Sequence, residues 1–101
     1  MNKTYVKPTT LTDILVTDVL KTDIELKVTD ELAIGSPLIL TGTTWQKATE
    51  LNIATAEKHA ILCENATSDG IYTAMLIGAV KFVDVHNDIK TAFFKSNLIY
   101  Q

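Results

Sequence analysis

Residues 71–83 of this 101-residue chain, Ile-Tyr-Thr-Ala-Met-Leu-Ile-Gly-Ala-Val-Lys-Phe-Val, form its longest apolar stretch. Thr73, Gly78 and Lys81 interrupt it, and it falls short of the roughly 20 apolar residues that a membrane-crossing helix needs. A polar turn cluster, Asn65-Ala66-Thr67-Ser68-Asp69-Gly70, precedes it. The stretch therefore reads as a strand over residues 71–85, bent near Gly78, where no side chain fills the pleat. Ile77, Ala79 and Val83 predict one buried face, and with Met75 and Phe82 the run predicts that both faces are covered. A strand covered on both sides requires the rest of the chain to build a layer on each.

Weaker strand signals surround it. Residues 22–29 alternate, with Ile24, Leu26 and Val28 to one side and Asp23, Glu25 and Lys27 to the other, the pattern of a half-buried strand. Gly35-Ser36-Pro37 signals a turn, Leu38-Ile39-Leu40 a short buried strand, and Thr41-Gly42-Thr43-Thr44 a reversal into Trp45 and Lys47, so residues 38–48 read as a hairpin. Residues 59–64, with Ile61, Leu62 and Cys63, add another strand. Residues 50–57 suggest a helical turn. Residues 86–96 suggest a short helix, with Asn87 or Asp88 as cap and Ile89, Ala92 and Phe93 facing the core. Residues 11–20 support two readings: Leu11, Ile14, Leu15 and Val19 mark a helical stripe with Thr10 or Thr12 as cap, while β-branched Val16, Thr17 and Val19 favour a strand.

Residues 1–12 are polar and threonine-rich, carry Pro8 and lack helical period, so they read as an extended N-terminal arm ahead of a compact β-rich domain spanning 13–101. The expected fold is mainly β: a small single-domain β-sandwich or barrel-like fold with one or two short helices and that arm.

The length suits one domain, and 47% hydrophobic with 21% charged residues describes a globular chain rather than a disordered one. The net charge is −3, and the nine basic residues are all scattered lysines. Without arginine forks or a basic face, no nucleic-acid partner is expected, and a nucleic-acid-binding barrel is disfavoured. No membrane partner is expected either. The start, Met-Asn-Lys-Thr-Tyr-Val-Lys-Pro, has no apolar signal core. Cys63, the sole cysteine, cannot form an intrachain disulfide and fits a reducing compartment.

Chemistry is weakly supported. His59 and Cys63 lie four positions apart, but a structural zinc site takes about four ligands, and His86 and Asp88 would have to complete it from a distant segment. The simpler reading is a buried cysteine and a surface histidine. A Cys63–His59 nucleophile pair lacks any visible orienting group or oxyanion pocket. Glu25, Asp30, Glu31, Glu50, Glu57 and Glu64 are dispersed and read as solvated charge. Asn65-Ala66-Thr67 matches a glycosylation acceptor without a secretory context, and the four glycines are isolated rather than gathered in a phosphate loop. No catalytic residue, metal or cofactor is expected.

From Glu31 onward the signals follow a familiar order: the turn Ala33-Ile34-Gly35-Ser36-Pro37, the strand Leu38-Ile39-Leu40, the tip Thr41-Gly42-Thr43, then Trp45-Gln46-Lys47-Ala48-Thr49. His59-Ala60-Ile61-Leu62-Cys63-Glu64-Asn65-Ala66, a polar loop and Ala74-Met75-Leu76-Ile77-Gly78-Ala79-Val80 complete it. Over residues 31–85 this resembles the small head decoration proteins of tailed bacteriophages, the lambda-like capsid-stabilising family. The region between arm and core, residues 11–29, is longer than in that pattern. The resemblance implies a compact β-rich virion protein, made in the host cytoplasm and bound to the outer capsid surface. It also implies the major capsid protein as partner, homo-oligomers such as trimers, and an N-terminal arm that pairs with the shell. The candidate partner-binding residues are Thr4, Tyr5, Val6 and Pro8 in the arm, with Leu98, Ile99 and Tyr100 at the apolar end. Trp45 joins them as a lone tryptophan beside a turn, although such a residue more often belongs to a core. Tyr5, far in sequence from any core segment, is the preferred intermolecular anchor. The alternatives are a capsid-anchored base domain for a head fibre or receptor-binding protein, and a small-molecule-binding domain or enzyme.

Overall fold

The structure, a computed structural model, describes residues 10–101. Thr4, Tyr5, Val6 and Pro8 lie outside the described residues. Thr10 caps a 3₁₀ turn at Leu11–Asp13, its backbone N–H donating to Asp13 Oδ2 at 3.2 Å, and Leu11 packs against the core. Residues 10–12, expected in the arm, are thus tied to the domain. The turn leads into strand β1, Leu15–Leu26, so the β-branched Val16, Thr17 and Val19 prevail over the helical stripe.

Next come β2 (Pro37–Thr41) and β3 (Thr44–Lys47), the expected hairpin. Gly42, at φ 66, takes the first position of its two-residue turn, where a side chain would be strained. A helical turn follows, in which Thr49 and Asn52 bond each other's backbone N–H groups and Ile53 N donates to Thr49 O. Then come β4 (His59–Leu62), β5 (Gly70–Val80), helix α1 (Asn87–Phe94) and β6 (Leu98–Tyr100).

The strands lie in the order β1-β3-β2-β4-β5-β6, and β1 also pairs with β5. The sheet therefore closes into a five-stranded barrel, with β6 added outside the ring beside β5. Two pairings are parallel, β1 with β3 and β5 with β6; the others are antiparallel. The apolar stretch that dominates the sequence is the hub. One edge of β5 carries β1 along its length, and the other carries β4 and then β6.

Period-two alternation sorts the side chains into two cores. Ile24, Leu26, Leu38, Ala60, Leu62 and Ala74 fill the barrel, and the bridged pair Leu32 and Ala66 packs with them. Their neighbours Ile39, Ile61 and Met75 point outward, where Ile14, Ile34, Ile89, Phe93, Leu98 and Tyr100 cover them. β5 is covered on both faces, as Met75 predicts.

Phe82 departs from expectation. β5 ends at Val80, and Phe82 stands 75% exposed with φ 65. Gly78 marks a real irregularity: the β1–β5 register shifts between Asp18 and Leu20 and again between Leu20 and Lys21. A Cβ at Gly78 would sit 2.6 Å from the Thr17 carbonyl oxygen and 2.5 Å from Met75 Sδ.

The cap of α1 is neither Asn87 nor Asp88 but His86, whose Nδ1 accepts from Asp88 N at 3.1 Å. Ile89 and Phe93 are buried, with Ala92 half-buried beside them. The apolar end packs on its own core. Leu98 and Tyr100 are buried, and the Tyr100 hydroxyl donates to Gly35 O at 2.7 Å. Both are read from the sequence as partner-binding residues; within the single chain their side chains serve the core. Ile99 alone of the three faces outward.

Candidate binding surface

The residues with chemical potential are held quiet. His59, expected at the surface, is half-buried: Nδ1 shares a 2.7 Å hydrogen bond with Ser96 Oγ, and the ring lies 4.8 Å from that of Phe93. Its Nε2 is buried with no hydrogen-bond partner among the described residues. Burial lowers its pKa from the usual 6.5 and favours the neutral ring. Cys63 is buried in the outer core, its Sγ 3.6 Å from Ile61 O, and burial above all pushes the thiol up to about 11. The Asp18 and Glu64 carboxylates add to this rise, and the Lys21 ammonium opposes it. Among the described residues, no group of three or more His, Cys, Asp or Glu side chains is placed to hold a metal ion. Trp45 is half-buried against the barrel interior with Val28, Tyr72 and Leu76. Part of its side chain thus packs on the core.

What the described residues do offer is exposed apolar surface, part of it beside the 3₁₀ turn at Leu11–Asp13. Lys81 N donates to Ile14 O at 2.8 Å, which anchors the turn after Thr10 beside the end of β5. Phe82 follows at once, and the Lys81 ammonium lies 5.1 Å from the centre of its ring. Gln101 N donates to Val80 O, bringing β6 and exposed Ile99 to the same part of the sheet. Phe94, 66% exposed, shares a cleft with Tyr100, Lys90, Thr91 and Lys95.

A non-glycine residue in the left-handed region costs on the order of 1 kcal/mol or more and persists where its surroundings impose it. Here the imposed conformation displays an aromatic ring in water. Sequence patterning missed Phe82 because it continues an apolar strand; only the end of the β5 ladder at Val80 turns it outward. Phe94 was missed as well, although a signal existed: its neighbour Phe93 is assigned to the buried side of α1, and consecutive helical positions point about 100° apart.

These features define a small, mainly β, single-domain protein with a closed sheet, one packed helix and exposed apolar side chains near the root of its N-terminal segment. No protein-family model matches the sequence, and no curated protein matches it.

Proposed function

We propose that the protein is a structural component of a bacteriophage particle, a decoration protein that binds the outer face of the capsid and stabilises it. The observation that carries this reading is Phe82, an exposed aromatic in left-handed backbone beside the point where residues 1–9 enter the domain. An arm over residues 1–9 together with exposed apolar side chains would make a two-part docking device. The arm, with Thr4, Tyr5, Val6 and Pro8, would add its backbone to the major capsid protein. Phe82, Phe94 and Ile99 would settle on the neighbouring shell surface. Burying a phenylalanine side chain contributes about 1.5–3 kcal/mol before the cost of association. The gain recurs at every equivalent site, and binding only the assembled shell stabilises it by mass action.

The test is to mix the protein with undecorated shells and measure occupancy and heat resistance. High occupancy with raised heat resistance is expected. Phe82→Gly should leave the domain as stable or slightly more so, since glycine accepts the positive φ, yet lower shell occupancy. Deleting residues 1–9 should abolish binding and leave the melting temperature nearly intact. Absent occupancy, or full occupancy with unchanged heat resistance, would refute the reading.

A further inference from the structure

β1 carries a long edge on which none of the described residues places a strand. One side of β1 pairs with β5 throughout, but on the other side β3 meets it only at its end, where Leu26 pairs with Trp45 and Lys27 N donates to Trp45 O. Upstream of that contact Val16, Val19 and Leu20 are exposed, Val19 by 67% and Leu20 by 47%. Such an edge is a template for another strand, and its residues specify which one.

Run antiparallel against itself about the midpoint between Val19 and Leu20, the segment is self-complementary: Asp18 falls opposite Lys21, Thr17 opposite Thr22 and Val19 opposite Leu20. In an unbroken strand this register fails, because positions three apart project from opposite faces. β1 is not unbroken. Asp18 pairs with Gly78 and Leu20 with Ile77, so Val19 is an extra residue bulged out of the ladder. The bulge returns Asp18 and Lys21 to one face, where their side chains form an ion pair of 3.0 Å. Opposite residues of an isologous pair must share a face, and the bulge at Val19 satisfies that condition.

We propose that two copies of the chain associate about a two-fold axis by antiparallel pairing of their β1 edges, Asp18 of each facing Lys21 of the other, with Val19 and Leu20 of both at the centre. The two carboxylates and two ammonium groups then alternate across the seam. Bulges and lysines usually guard a strand edge; here the lysine finds its counter-charge on a second copy, and the pairing closes after two chains. The pairing uses none of Phe82, Phe94 and Ile99, and the dimer stands or falls independently of any shell.

Sedimentation of the full chain over a wide concentration range tests this. The wild type should show a reversible monomer–dimer equilibrium. Lys21→Asp and Asp18→Lys should each weaken self-association by about tenfold or more, since like charges then oppose each other twice, with circular dichroism unchanged. Mixing these two variants should restore dimers, because an all-acidic edge then meets an all-basic one. The double exchange Asp18→Lys with Lys21→Asp should dimerise by itself. A wild type that stays monomeric at every concentration, single variants as dimeric as the wild type, or a mixture that does not associate would each overturn the proposal. The first would leave the edge to a strand of a different protein.

Discussion

His59 shows how one side chain couples the fold to pH. Its ring is pinned between Ser96 and Phe93, and burial favours its neutral form in the folded state. In the unfolded chain it takes a proton near the ordinary value of about 6.5. Below that pH the unfolded state binds a proton that the folded state does not. Stability therefore falls as pH drops through this range, and the effect saturates once the folded ring also protonates. Melting temperature measured from about pH 7 to pH 5 should decline in the wild type, and His59→Phe should flatten this part of the profile. An unchanged slope in the variant would show that another group governs acid sensitivity. Phe82 and Asn97 make a second point at this scale. Both hold positive φ, yet Asn97 closes the loop after α1 with a residue type suited to that region, whereas Phe82 is not.

At the scale of elements, β5 organises the molecule and Gly78 sets how closely β1 approaches it. The register shifts opposite Gly78 bring the Thr17 carbonyl into space that a methyl group would need. Met75 can adjust its flexible side chain, but Thr17 offers backbone, so Gly78→Ala must push β1 away. A loss of about 1–3 kcal/mol in urea unfolding is expected. Amide exchange should also speed up across the first half of β1 more than in β2 and β4. A variant as stable as the wild type would mean that the two strands part there without cost. The helical end behaves differently: α1 buries Ile89 and Phe93 and hands the chain to β6, whose Leu98 and Tyr100 complete the same core. The Tyr100–Gly35 hydrogen bond ties this last strand to the turn before β2.

For the molecule as a whole, closure of the sheet by β1 and β5 joins both cores through shared strands, so opening is expected to be global rather than local. Cys63 reports on it. Its buried thiol, pushed up to about 11, holds almost no thiolate near neutrality. At about pH 8 a disulfide reagent should react with it only as fast as the protein unfolds, and the rate should rise with urea in step with the unfolding curve. Reaction at the speed of a free thiol in native buffer would show that the outer core opens separately.

Strand identity came from local pattern: the alternation of Ile24, Leu26 and their polar neighbours, the glycine at the hairpin tip, and the apolar run of β5 are backbone-scale signals that survive any tertiary arrangement. The burial of Ile89 and Phe93 followed in the same way from helical spacing. What only the tertiary structure decided concerns long-range pairing. The closure of β1 on β5 resolved the ambiguous residues 11–20 into a short 3₁₀ turn at Leu11–Asp13 and, from Leu15 on, a strand. The end of the ladder at Val80 sent Phe82 into solvent. The packing of β6 beside β5 drew Leu98 and Tyr100 into the core, and His59 was enclosed by Ser96 and Phe93 from 37 and 34 positions away in the sequence. Local periodicity specifies which face a residue occupies, but whether that face meets water or another layer depends on segments far along the chain, and no short window of sequence contains that information.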